Sequence, residues 1–259
     1  METSIARTIA TGLATMAGFS FETEARQCTE HGEYTAMKTP VGWSDCTVCN
    51  AKRQRAELFR LEAEGYHAGL MRQADVPLRY QAKTLDAFSA PAPGQQRALA
   101  VAKHYADDFA AARAAGRGLI FCGAPGTGKT HLAVGIMHRV LGAGYTARFA
   151  VVLDAMQAVK GTYRKDSAVT ESAVIEKLTA PDLLVLDEIG NQYGSDAEKI
   201  ILSNVINTRY NAMKPTILLS NLAKDALVKE LGDRAIDRMR EGGGRMVVFD
   251  WESHRGAQA

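Results

Sequence analysis

No stretch of this 259-residue chain stays apolar for the ~20 residues that a membrane-spanning helix needs. Its start, METSIARTIATGLATMAGF, is interrupted by Thr, Gly and Arg7. It lacks a basic segment leading into a clean apolar one, so a secretory signal peptide is not expected. Both absences predict a cytoplasmic protein with no membrane partner. Thiols stay reduced in that compartment, so its four cysteines point to metal ligands or core positions rather than disulfides. An excess of one charge sign is also missing. With 31 basic and 29 acidic residues the net charge is +2, and any contact with nucleic acid must come from a local patch. There are no internal repeats and no low-complexity tracts. At 46% hydrophobic and 23% charged residues, the chain has the composition of an ordinary globular protein. Its length fits one large domain with a smaller one beside it.

Residues 50–75 are rich in helix formers and free of proline, and predict a charged helix, with a break near Gly65. Residues 76–94 contain Pro77, Pro91 and Pro93, which punctuate structure rather than propagate it. The expected organisation is therefore an N-terminal module with a helical region over 1–75, a linker over 76–94 and a large domain over 95–259. From residue 95 onward, apolar strand-like runs (GLIFCG, YTARFAVV, DLLVLDEI, PTILLSN, RMVVFDW) alternate with segments of helical periodicity. Strands separated by helices predict an α/β fold, a mostly parallel sheet flanked by helices.

Gly123-Ala124-Pro125-Gly126-Thr127-Gly128-Lys129-Thr130 satisfies every fixed position of the phosphate-binding loop G-x-x-x-x-G-K-[ST], between a predicted strand and a predicted helix. The glycines let backbone N–H groups converge on phosphates, and the helix N-terminus adds its partial positive charge. Lys129 is expected at the β- and γ-phosphates of ATP, and the Thr130 hydroxyl at Mg²⁺. The apolar run Leu183–Leu186 ends in Asp187-Glu188. Buried strands do not end in paired acids without a use for them, because burying charge is costly. At the C-terminal edge of a parallel sheet both carboxylates face the ligand crevice. Asp187 is expected to hold Mg²⁺ and Glu188 to activate the attacking water, which favours ATP hydrolysis over transfer to a small-molecule acceptor.

Two further features leave alternatives open. The strand PTILLSN ends in Asn221, which can orient the water beside the γ-phosphate or simply form a turn. Arg234 and Arg238 share one helix face, which is either solvated or able to reach a neighbouring subunit's nucleotide. Near the N-terminus, Cys28-x-x-His31 and Cys46-x-x-Cys49 form a Cys₃His set with the spacing of a structural zinc site, and Gly32 and Gly42 suit knuckle turns. So small a segment has too few apolar residues to fold alone, so metal would supply its stability. The fourth cysteine, Cys122, precedes the phosphate loop in a predicted strand and is expected in the core.

The motifs GAPGTGKTHLAVGI, LLVLDEIG, TILLSNL, LGDRAIDRMR and VVFDWESHR occur in this order. Through them residues 76–255 resemble the DnaC-type replicative helicase loaders, AAA+ ATPases grouped with the initiator DnaA and the transposition helper IstB. VPLRYQAKTLDAF is similar to the segment that precedes the ATPase core in this group. The phosphate loop is generic, whereas LDEIG, DRMR and the tail FDWESHR are specific. The resemblance implies an AAA+ P-loop NTPase core using ATP and Mg²⁺, plus a small N-terminal zinc-binding module. It places Asn221 at the sensor-1 position and Arg238 as an arginine finger acting in trans, and hence implies self-association through the ATPase interface. It also implies single-stranded DNA binding through a segment between the two Walker motifs, here Lys160, Tyr163, Arg164 and Lys165. A tyrosine among basic side chains suits base stacking with phosphate contact, although a solvated helix end is the plain alternative. The partner implied is a DnaB-type ring helicase, gripped by the N-terminal region and placed on single-stranded DNA with ATP turnover. Whether the zinc module meets helicase or DNA stays open. The competing reading is an IstB-like ATPase regulating transposition on duplex DNA, against which the zinc module argues. A third, a static nucleotide switch, is at odds with Asp187-Glu188.

Overall fold

The computed structural model describes residues 22–164, 166–190 and 196–254. The chain divides into two compact units, with the boundary between Gly65 and Tyr66. In the first, β1 (Thr23–Cys28) and β2 (Gly32–Thr39) pair antiparallel with Cys28 opposite Gly32, and β3 (Gly42–Trp43) adds to β2. Gly32 has φ +79°, a conformation that the tight turn after His31 needs and that side chains resist. Helix α1 (Thr47–Gln73) then begins, with Cys49 in its first turn. The helix runs through Gly65 without the expected break.

The second unit contains α2 (Pro93–Asp107), α3 (Phe109–Ala114), β4 (Leu119–Gly123), α4 (Lys129–Gly142), β5 (Ala147–Val151), α5 (Val152–Gly161) and α6 (Glu171–Thr179). It continues with β6 (Leu183–Ile189), α7 (Asp196–Asn211), β7 (Thr216–Ser220), α8 (Lys224–Leu231), α9 (Asp233–Arg240) and β8 (Arg245–Phe249). The strands form one parallel sheet in the order β5-β6-β7-β4-β8. Alternation along the strands explains why both faces are covered. Leu119, Phe121, Leu183, Val185, Ile217 and Leu219 join one core with α2 and α4. Ile120, Cys122, Leu184, Leu186 and Leu218 join the other, with α5, α7 and α9. Each fully buried large apolar side chain contributes about 1.5–3 kcal/mol. Residues 93–114 form two helices rather than one, and so do residues 224–240, the latter pair divided at Gly232, where φ is +78°.

The expected linker over 76–94 is corrected by its packing. Val76, Leu85 and Phe88 are buried in the same core as Met71, Ala98 and Leu132. The Phe149 amide donates to the Ala74 carbonyl at 2.7 Å. His138 Nε2 donates to the Gln81 carbonyl at 2.8 Å while its Nδ1 accepts from His67 Nε2 at 2.9 Å. These contacts make residues 66–94 part of the large unit, so the expected boundaries at 75/76 and 94/95 both give way to one at 65/66.

One charged residue that sequence reading passed over ties the sheet together. Arg209 of α7 is 1% exposed. It donates to the Thr216 hydroxyl and to the carbonyls of Leu178, Thr179, Pro181, Asp182 and Pro215 at 2.6–3.3 Å. Burial pulls its pKa down to about 9. Those acceptors lie where β6 and β7 begin, so the guanidinium fixes the starts of the two strands whose far ends carry Glu188 and Asn221. No described helix is long and apolar enough to cross a membrane.

Candidate nucleotide-binding site and metal centre

The phosphate loop leaves β4 at Gly123 and enters α4 at Lys129. Two of its glycines are dictated by close approach. A Cβ on Gly123 (φ +130°) would sit 2.2 Å from the Phe249 carbonyl oxygen, and one on Gly128 (φ +97°) would sit 2.6 Å from the Phe88 ring. Thr127 is fully buried. Lys129 is only 6% exposed, and its Nζ donates to the carbonyls of Gly123 at 2.8 Å and Ala124 at 2.7 Å. The Thr130 hydroxyl donates to Asp187 Oδ2 at 2.9 Å, so the two expected Mg²⁺ ligands already touch. Asp187 Oδ1 accepts from the Glu188 amide at 2.7 Å. Burial raises the Asp187 pKa from its ordinary value, against the lowering effect of those hydrogen bonds. A divalent cation beside it would remove that penalty.

The pairing of β6 with β7 shifts register between Leu186 and Ile189, and Glu188 adopts φ +63°. A non-glycine residue held there costs of order 1–3 kcal/mol, and such strain concentrates where a side chain must be aimed. Glu188 thus sits at an irregularity within β6 and is exposed, in a cleft of about 460 Å³ that also takes in Lys129, Thr130, Asp187 and Asn221. Because β7 lies between β4 and β6, Asn221 stands between the phosphate loop and the two acids. Sequence reading missed other residues that line this cleft, among them Arg79, Tyr80, Lys83 and His254. The signal was present as two basic residues and an aromatic among the prolines of 76–94, and as the tail motif.

Arg238 lies apart from that cleft's lining. It is half-buried on α9, donates to Asn207 Oδ1 and stacks on Tyr210 with 5.2 Å to the ring centroid. Arg234 is exposed beside it. Of the four residues expected at DNA, Lys160 pairs with Glu198 at 2.7 Å, a carboxylate 1% exposed. Tyr163 is 63% exposed, Arg164 pairs with Asp166 at 3.5 Å on the surface, and Lys165 lies outside the described residues.

In the first unit, the donor atoms of Cys28, His31, Cys46 and Cys49 all lie within 4.8 Å of one another. His31 Nδ1 is 3.6, 3.8 and 3.3 Å from the sulfurs of Cys28, Cys46 and Cys49, and the Cys28 and Cys49 sulfurs are 3.7 Å apart. A tetrahedral zinc ion, with bonds of about 2.3 Å to sulfur and about 2.0 Å to nitrogen, has donor-to-donor edges of about 3.5–3.8 Å. The donor set fits zinc in identity, and four of its six donor-to-donor edges, at 3.3–3.8 Å, fit in size. Hydrogen bonds, first from the Glu30 backbone and then from His31, pull the Cys28 thiol down to about 6. Its hydrogen bond with Cys28 pushes the Cys49 thiol up to about 11. Neighbouring thiolates compete for charge in this way until a cation stabilises them together.

A parallel sheet with a phosphate loop on β4 and paired acids on β6 defines a P-loop nucleotide-binding protein of the AAA+ kind. The sequence profile of a family described as IstB-like ATP binding protein matches residues 70–239, and the chain belongs to that family. The replicative helicase loader DnaC of Escherichia coli strain K12 is 40% identical over 162 residues, 62% of this chain and 64% of DnaC. That alignment takes in less than two thirds of the relative's own length. A crystal structure of a DnaC helicase loader superposes with a TM-score of 0.59 and 26% identity, over 67% of this chain and 100% of that one. A replication initiator DnaA bound to AMPPCP and single-stranded DNA superposes with a TM-score of 0.57 and 25% identity, over 68% of this chain and 51% of DnaA.

Proposed function

We propose that this chain is an ATP-dependent loader that places a DnaB-type replicative ring helicase onto single-stranded DNA. The observation that carries the reading is the 40% identity to a replicative helicase loader, over a region with a complete nucleotide site. In this reading Lys129 and the loop Gly123–Gly128 hold the phosphates of ATP. Thr130 and Asp187 would hold Mg²⁺, which when bound neutralises charge on the phosphoryl group. Glu188, aimed into the cleft by its left-handed backbone, accepts a proton from the attacking water. Asn221 orients that water, donating through its amide. Arg238 reaches the nucleotide of a neighbouring copy, for which it must leave Tyr210 and Asn207. Hydrolysis then depends on assembly.

The exposed Tyr163 with Lys160, Arg164 and Lys165 is the surface proposed for single-stranded DNA, and the likeness to a DnaA bound to such DNA supports it. Cys28, His31, Cys46 and Cys49 hold zinc and shape the unit that grips the helicase.

The direct test is size-exclusion chromatography of the full chain with the ring helicase of its own host, with and without ATP. Co-elution that is lost when residues 1–65 are deleted, with the larger unit left whole, supports the reading. The IstB-like family description favours a second one, regulation of transposition. A chain that binds duplex DNA and forms no helicase complex under any nucleotide condition would replace the first reading with that one.

A further inference from the structure

The tail after β8 belongs to no step above, yet it is fastened to the phosphate loop. Trp251 Nε1 donates to the Thr127 carbonyl at 3.0 Å, and the His254 amide donates to the Gly126 carbonyl at 3.1 Å. The Trp251 ring packs on Phe249, with centroids 4.7 Å apart. It also lies so close to the start of α2 that a Cβ on Gly94 would approach it to 3.1 Å. The imidazole of His254 is latched separately. The buried Gln95 accepts from the Ala92 amide through Oε1 at 2.9 Å, which turns its Nε2 outward as a donor. That donor meets His254 Nε2 at 3.0 Å, so the ring accepts there.

These contacts fix more than two carbonyls. The described peptide bonds are all trans, and a planar trans peptide points its C=O and its N–H in opposite directions. A tail that holds the Gly126 and Thr127 carbonyls therefore sets the directions of the Thr127 and Gly128 N–H groups. Those two belong to the set that a phosphate loop turns toward an anion. Without these partners the two carbonyls would keep only the restraint from the buried Thr127 side chain, whose hydroxyl donates to the Ala124 carbonyl at 2.8 Å, and the ligand would have to complete the ordering of the anion nest.

We propose that Trp251 and His254 are positioning residues of the nucleotide site, holding the phosphate loop with its N–H groups ready for a nucleoside triphosphate. The inference rests on the nucleotide-binding reading and adds the tail to that site. Trp251→Phe keeps an aromatic ring beside Phe249 but removes the Nε1 donor together with part of the indole's packing, which thermal unfolding registers separately. His254→Ala keeps the backbone donor and removes the latch, whereas His254→Gln retains a side-chain acceptor. Calorimetric titration of the full-length protein with MgATP, together with thermal unfolding, tests it.

The expected result is about tenfold weaker MgATP binding in Trp251→Phe and in His254→Ala, with unfolding temperatures near that of the parent. Binding in His254→Gln should return to within about threefold. MgATP affinity equal to the parent's in both Trp251→Phe and His254→Ala, whether or not their unfolding temperatures fall, would overturn it and make the tail a cover for the sheet edge. If the parent protein itself fails to bind MgATP, the nucleotide-binding reading is what fails, and this inference goes with it.

Discussion

Between residues 22 and 65 the only hydrophobic side chains that are buried are Ala36 and Cys46, while Leu58, Phe59 and Leu61 are 52–74% exposed. The larger unit covers a five-stranded sheet on both faces with apolar side chains. Both segments must offset a backbone ordering cost of about 1–2 kcal/mol per residue, and they do so with different resources. Residues 66–254 use area removed from water. Residues 22–65 have little such area and instead converge four metal-ligating atoms. Structural zinc binding contributes about 10–16 kcal/mol in small peptides of this type. The lesson is that a chemical site can be separable from the fold that carries it or be part of what makes the fold. The phosphate loop sits on a finished scaffold, whereas the cysteine cluster, with zinc bound, would substitute for one.

That contrast can be broken at several points. The largest effect is expected from Lys129→Ala, which should abolish measurable MgATP binding in calorimetry while the far-UV circular dichroism stays that of the parent. A variant that binds normally would remove the phosphate loop from the account. Arg238→Ala should leave MgATP binding intact but lower helicase- and DNA-stimulated hydrolysis by about 10³-fold. A monomeric protein hydrolysing at full rate would rule out action in trans. Glu188→Gln should bind MgATP and hydrolyse it about 10²-fold more slowly in single-turnover assays, and unchanged turnover would refute its role.

Leu85→Ala examines whether residues 76–94 belong to the core of the larger unit. As a core residue Leu85 should cost about 2–5 kcal/mol in urea unfolding, whereas a linker residue would cost next to nothing. The smallest effect on the larger unit is expected from zinc removal. Chelation should expose the amides of residues 22–65 to hydrogen exchange and leave the main unfolding transition within about 2 °C. Purified protein with no bound metal, or a single transition that collapses on chelation, would contradict the division of labour.

The parts of this protein that were legible in its sequence are those governed by local rules. The phosphate loop and Asp187-Glu188 each occupy a few adjacent positions, the metal-ligating residues fall in two closely spaced pairs, Cys28/His31 and Cys46/Cys49, and strand–helix alternation repeats over short windows. The burial of Val76, Leu85 and Phe88 was not legible because Pro77, Pro91 and Pro93 mark a segment without periodicity, and burial there depends on what the chain meets in space. Arg209 looks like an ordinary helix charge until the strand starts of β6 and β7 converge around it. The strands TEARQC and GEYTAMKT carry charged residues and few β-branched ones, so they gave no strand signal, and their pairing follows the turn that brings His31 to Cys28.

The central claim is that ATP turnover at this site places a closed ring on DNA, and a circular single strand tests it most directly because no closed ring can thread onto it. The measurement is retention of the host's ring helicase on circular single-stranded DNA, with and without this protein and ATP. The account predicts retention only when both are present, and its loss with Lys129→Ala. Equal retention in the absence of this protein would contradict it.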